Sequence, residues 1–175
     1  VPLVRNARHR LRVLEVIQEA PGVVSVVMGG RRLESLHVRG GQFFYWRFWT
    51  PGLRWEGHPY SLSAAPDDHV LRITVRDLGD DSRRLLALKV GTAVYFEGPY
   101  GLFTAAARTR RDVVLVGAGI GITPILSMIR WCEARAKRWR LLYAVRSMAR
   151  APFLWDLAPY RQQVDLHVDE SHDGK

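Results

Sequence analysis

A small antiparallel β-barrel followed by an α/β domain with a parallel sheet is the fold that these 175 residues predict. Two textures carry the prediction. Up to about residue 105 the chain holds short runs of two-residue apolar alternation, cut by Gly, Pro and Asp, with one helical stretch among them, as small barrels do. From residue 112 the apolar runs become continuous and alternate with helical spacing, in the order strand, helix, strand, helix, strand. The boundary is set in TAAARTRR, giving domains over 1–108 and 109–175. Three parallel strands are few for a covered sheet, so the second domain reads as truncated.

Within the first domain, RLRVLEVIQ from Arg10 predicts a strand, Ala20-Pro21-Gly22 breaks it, and VVSVVM from Val23 predicts the next. After Gly29-Gly30, LESLHV predicts a short third strand, and the aromatic-dense GGQFFYWRFW a fourth. HPYSLSAA and HVLRITVRD follow as strands, the latter with Val70, Ile73 and Val75 as core residues. DDSRRLLALKVG changes to helical spacing through Leu85, Leu86 and Leu88, with Ser82 or Asp81 as the cap and Gly91 as the stop. TAVYFEGPYG ends the domain with a strand and a sharp turn.

In the second domain DVVLVGAG predicts a parallel strand buried on both faces. ITPILSMIRWCEARAK predicts a helix with Ile125, Met128, Ile129 and Cys132 along one side. WRLLYAVRS, APFLWDL and QVDLHVDE predict a strand, a short helix and a third strand.

With 47% hydrophobic and 25% charged residues the chain has the composition of a packed protein rather than a disordered one. No apolar run approaches the ~20 residues of a membrane-crossing helix, so the segment itself reads as soluble. The single cysteine, Cys132, excludes a disulfide framework and a cysteine-built metal or iron–sulfur site within the chain, and no metal is expected. The net charge of +9 suits nucleic acid, an anionic membrane surface or an anionic cofactor. No zinc finger, RNP-like motif or compact basic helix accompanies it, so a nucleic-acid partner is not expected.

Three motifs carry chemistry. VLVGAGIGITP puts Gly117, Gly119 and Gly121 between a strand end and a helix start, where bare backbone admits a diphosphate. Thr123 and Pro124 suit a cap and first-turn pair, while Ile122 occupies the place of the third glycine in the usual dinucleotide fingerprint. The next strand ends in Arg146 and Ser147 with no acid until Asp156, which favours a 2′-phosphate and hence NADPH over NADH. RDLGDDSRRL offers Gly79 and Ser82 to a second phosphate, against two opposing aspartates. In HPYSLS, alternation sets Tyr60 and Leu62 on one face and Ser61 and Ser63 on the other, either a wet serine face or a ligand wall. For a flavin, Tyr60 supplies a flat ring, Ser61 a small hydrogen-bonding group and His58 a single neutral donor where arginine would supply several.

Together HPYSLS, RDLGDDS, EGPYG and VGAGIGITP, in this order and across nearly the whole chain, resemble the ferredoxin–NADP reductase type of flavoprotein. The first motif of that superfamily is usually R-x-Y-S. An opening His-Pro, with His58 in the arginine position, is characteristic of its ferric reductase and NADPH oxidase branch, and GQFFYWRF fits the same branch.

The resemblance implies an FAD-binding antiparallel barrel followed by a Rossmann-like NAD(P)H-binding domain. By motif, His58, Pro59, Tyr60, Ser61 and Leu62 would line the flavin and its ribityl chain. Thr74, Val75 and Arg76, then Gly79, Asp81 and Ser82, would surround the diphosphate. Gly117, Gly119, Gly121, Thr123 and Pro124 would meet the pyridine nucleotide, with Arg146 and Ser147 at its adenosine end. Glu97 to Gly101 would form the hinge turn between the domains.

The implied activity is transfer of hydride from NADPH, or NADH, to FAD, then of single electrons to a membrane haem and finally to ferric iron or dioxygen. Ser61 would act beside the flavin N5 and Tyr60 would support the ring. The hard chemistry belongs to the cofactors, and no general base is required. The branch carries a haem-bearing transmembrane domain upstream, so the chain reads as the cytoplasmic-side part of a longer membrane protein, with that domain or a separate acceptor as partner. The family's later Cys-Gly-Pro motif is missing here. Two other readings stay open: a soluble NAD(P)H reductase feeding an iron–sulfur domain, and a non-catalytic docking module.

Overall fold

The computed structural model describes residues 2–64, 69–104 and 112–169, without the side chains of residues 2–4 and 81. The boundary expected at 108 lies outside the described residues. Helix α1 (Pro2–His9) leads into an antiparallel sheet of β1 (Arg12–Ala20), β2 (Val23–Gly29) and β5 (Val70–Arg76), in the order β1-β2-β5. A second antiparallel sheet, β4-β3-β6, is built from β3 (Phe43–Phe48), β4 (His58–Ser61) and β6 (Val94–Tyr100). Helix α2 (Asp80–Leu86) joins β5 to β6. The parallel sheet β7-β8-β9 contains β7 (Asp112–Ala118), β8 (Arg138–Val145) and β9 (Val164–Val168), connected through α3 (Thr123–Glu133) and α4 (Leu154–Leu157).

The expected barrel does not form: among the described residues no sheet closes. β4 meets β5 at one isolated bridge, Leu62 to Ile73, and β1 meets the segment before β6 at another, Arg12 to Ala93. The reason is strand length and bending. β4 has only four residues, and the register of β1 breaks between Val13 and Glu15 and again between Gln18 and Ala20. Neither edge can sustain a ladder. The two sheets instead share one core, in which Phe44, Trp46 and Phe96 of one pack with Met28, Leu71 and Ile73 of the other.

Other expectations also shift. LESLHV is not a strand; Leu33–Leu36 forms one 3₁₀ turn between Arg32 and His37, both at positive φ, which interrupts any extended run. The helix from Thr123 stops at Glu133 rather than near Lys137, since Ala136 takes a positive φ of 48°. Among the described residues β7 is covered on one face only: Val113, Leu115, Leu141 and Tyr143 join α3 in a second core, while Val114 and Val116 stay exposed. The sequence pattern has no counterpart for α1. Its Asn6 donates from Nδ2 to Phe96 O at 3.2 Å and accepts from Phe96 N–H at 2.9 Å, taking the place of a neighbouring strand beside β6.

The two units touch at specific points. Gly41 N–H donates to Ser127 Oγ of α3 at 2.9 Å, and Arg72 of β5 pairs with Asp156 of α4 at 3.0 Å. The Arg72 guanidinium also lies 5.3 Å over the Phe153 ring.

Candidate functional site

β4 is placed by β3: His58 pairs with Trp46, Pro59 with Tyr45, Tyr60 with Phe44 and Ser61 with Phe43. The Trp46 indole N–H donates to Tyr60 O at 3.1 Å, and Leu62 N–H to Gln42 O at 3.3 Å. Leu62 is buried and half-buried Tyr60 packs against the same core. The opposite face is not uniformly wet. Ser61 is half-buried, but Ser63 is fully buried and accepts from Thr74 Oγ1 at 2.7 Å. Thr74 in turn lies 2.7 Å from Ser25 Oγ, and Ser25 donates to Glu19, so a chain of hydroxyls on β5 and β2 ends on a carboxylate of β1. Val75 and Leu62 are buried in the core.

At the other end of β5, Asp77 accepts from Gly79 N–H at 3.3 Å and pairs with Arg83 at 3.5 Å. Ser82 is not an N-cap. Its hydroxyl accepts from Leu78 N–H at 2.7 Å and donates to Gly79 O at 2.9 Å, fastening the turn from inside α2. Gly79, at φ 147°, faces open space. Asp81 belongs to α2, with its side chain outside the described set.

In the second unit β7 runs into a 3₁₀ turn, Gly119–Ile122, before α3. Thr123 begins the helix without capping it, being buried, and half-buried Pro124 follows in the first turn. Gly117 abuts the Ile125 and Ile122 side chains, Gly119 needs its φ of 49°, and Gly121 is open. Arg146 is exposed and Ser147 half-buried just beyond the end of β8, the strand beside β7.

Arg76 joins the two halves. A Cβ on Gly119 would stand 3.6 Å from Arg76 Nη1, so the last residue of β5 reaches the glycine turn of the other unit. Tyr143, beneath that turn, has its phenol pushed well up by burial, and the nearby Arg76 charge partly offsets this. The folded state therefore holds this proton more tightly than the unfolded chain, and stability should be intact below about pH 10 and fall as pH rises above it. Tyr143→Phe is expected to remove part of that alkaline loss, read as a flatter dependence of denaturation midpoint on pH between about 10 and 12. An unchanged profile would count against it.

The site has the features FAD requires. His58 is buried and its Nε2 has no hydrogen-bond partner among the described residues, an arrangement that costs free energy unless a ligand completes it. Half-buried Ser61 ends β4, and the Gly79 turn, with room beside it, follows β5. Sequence reasoning finds these residues but not the Arg76–Gly119 approach or the Thr74 chain, since neither long-range pairing leaves a local pattern.

Comparison with known proteins agrees with this geometry. The profile of a family of FAD-binding domains matches residues 10–104. A flavohemoprotein of Candida albicans is 34% identical over 143 residues, covering 78% of this chain and 36% of that protein. A superoxide-generating NADPH oxidase heavy chain of Dictyostelium discoideum is 29% identical over 150 residues, 73% of this chain and 21% of its own length. Among solved structures, the flavohem-like FAD/NAD-binding domain of nitric oxide dioxygenase from Vibrio cholerae superposes with a TM-score of 0.76 at 28% identity, covering 94% of this chain and 76% of that one.

Proposed function

The chain belongs to the FAD-binding family of ferredoxin–NADP reductase-type flavoproteins, in its ferric reductase and NADPH oxidase branch, as an FAD-binding oxidoreductase module; on that premise we propose that it carries reducing equivalents from NADPH through FAD to a haem-bearing acceptor. Bound FAD would supply the chemistry that the side chains lack, acceptance of a hydride and release of single electrons.

The observation that carries this reading is the seam at Arg76, where the strand after HPYSLS meets the turn of VGAGIGITP. His58 would hold the flavin end through its free Nε2, Tyr60 would back the ring, and Ser61 would offer a hydroxyl at the reacting edge. The Gly79 turn would admit the FAD diphosphate. Gly119 and Gly121 would admit the nicotinamide dinucleotide, with Arg146 and Ser147 at the 2′-phosphate. Arg76, between the two loops, supplies a fixed positive charge to whichever diphosphate approaches.

The test is spectroscopic. The purified chain should take up FAD and turn yellow, and anaerobic NADPH should bleach it faster than NADH. A folded chain that does not bind FAD would defeat the reading, and equal rates with the two donors would remove the role of Arg146. Ser61→Ala should retain FAD and slow reduction roughly tenfold, about 1.4 kcal/mol in the barrier. Unaltered reduction kinetics would take Ser61 out of the reaction.

The chain spans 36% of the Candida flavohemoprotein and 21% of the Dictyostelium oxidase, and the acceptor is the part of this proposal that needs the rest of the electron path. Among the described residues no helix is long and apolar enough to cross a membrane.

A further inference from the structure

We propose that the surface formed by the end of α1, the start of β1 and the outer side of β6 docks onto an anionic lipid bilayer. A cleft of about 900 Å³ opens there, with Arg10, Arg12 and Arg31 on its walls and, among the described residues, no carboxylate in its lining. All three arginines are exposed. Arg12 donates one N–H to Gly91 O at 2.8 Å, and Arg10 donates its Nε–H to Ala7 O at 3.3 Å. A guanidinium has five donors, so these bonds orient the side chains without exhausting them. Leu14, half exposed, adds apolar surface to the same cleft.

Tyr95 extends this face toward a second feature. It lines the cleft, its ring lies 5.4 Å from that of Trp49, and Trp49 lies 6.1 Å from Trp55. The local pairing explains the continuity: Arg12 bridges Ala93, and Trp49 N–H donates to Ala93 O at 2.8 Å. Val13, Phe48 and Val94 turn into the core, so their neighbours Arg12, Trp49 and Tyr95 face away from it. Trp55 is 75% exposed, with the Arg54 guanidinium 5.2 Å from its ring. Glu56 is the one acid adjoining this loop in sequence, and Glu97 on β6 is already paired with Arg47 at 2.6 Å.

Cations attract an anionic leaflet, and tryptophan and tyrosine rings settle at the level of its headgroups. A free phosphate would engage the arginines and leave two exposed tryptophans and Leu14 without a role. A bilayer uses both. The described residues of HPYSLS, RDLGDDS and VGAGIGITP contribute nothing to the cleft lining, so this inference does not rest on the flavin reading.

The test is co-sedimentation of the purified chain with phosphatidylcholine vesicles, with and without about a third phosphatidylglycerol, in the presence of FAD. Binding is expected to the mixed vesicles only, and to disappear as salt shortens the Debye length to about 3 Å. R10Q/R12Q/R31Q should weaken partitioning about a hundredfold, roughly fivefold per arginine. W49S/W55S should weaken it without removing the salt dependence. R10K/R12K/R31K should retain binding, since leaflet attraction needs charge more than geometry. No binding, equal binding to neutral vesicles, or an R10Q/R12Q/R31Q protein that melts normally and binds as before would overturn the proposal. So would tighter binding to an oligonucleotide at the same phosphate concentration. Should the glutamine variant fail to fold, the lysine variant and the salt series decide, and loss of binding in the former or salt insensitivity in the latter overturns it.

Discussion

Gly41→Ala is expected to lower stability by about 3 kcal/mol or more, through two independent causes. Gly41 has a φ of 91°, where a side chain is strained by about 1–2 kcal/mol. An added Cβ would also lie 1.9 Å from the carbonyl oxygen of Phe103, a backbone atom that cannot rotate aside. Relief requires moving the segment around Gly41, whose N–H is bonded to Ser127 in α3. The substitution therefore loosens the joint between the units as well as the turn. Gly91→Ala is the control. Its φ is 87°, yet no atom of the described residues lies within 4 Å of the added carbon, so it should cost only the conformational part, about 1 kcal/mol. Denaturant titration of both variants separates the causes, and equal losses would show that the Phe103 approach is relieved cheaply.

The contrast between these glycines also shows what a sequence can carry. Gly91 reads as a helix stop, yet α2 ends at Leu86 with Ala87 as its C-cap, and Gly91 turns the chain at φ 87° before β6, its N–H bonded to Val13 O. Gly40 and Gly41 read only as the start of an aromatic strand, since their constraint comes from Ser127 and Phe103, far along the chain. The same division runs through the fold. β2 and β5 emerge with bounds nearly correct because alternation is a local signal, and they pair in unbroken register from Val23–Arg76 to Gly29–Val70. Barrel closure is overestimated because it depends on whether β4 and β5 have enough residues in ladder, which alternation does not encode. α1 escapes because what holds it is long-range: Asn6 and His9 are buried, bonded to Phe96 and to Arg31. The site motifs are legible as motifs, but alternation alone groups Ser63 with Ser61. Its burial against Thr74 separates the two serines and leaves Ser61 as the half-buried hydroxyl.

His58→Leu should weaken FAD binding by about 5- to 150-fold, the equivalent of about 1–3 kcal/mol, while leaving the FAD-free protein as stable as before or more so. The opposite signs come from one atom. Nε2 of His58 is buried without a partner among the described residues, so in the absence of ligand it carries a desolvation cost that leucine does not. A ligand acceptor reaching Nε2 would convert that cost into a hydrogen bond, and leucine cannot make it. A purely structural histidine predicts otherwise: its loss would lower the melting temperature of the FAD-free protein and leave affinity nearly unchanged. FAD titration by fluorescence quenching and thermal melting of the FAD-free protein therefore divide the two roles. Affinity within twofold of the parent would end the assignment of His58 to the flavin. If the assignment holds, a single imidazole donor stands where R-x-Y-S proteins place an arginine, so the diphosphate charge must be met from elsewhere. Arg76, half-exposed at the end of β5 and beside the Gly119 turn, is the cation positioned to meet it.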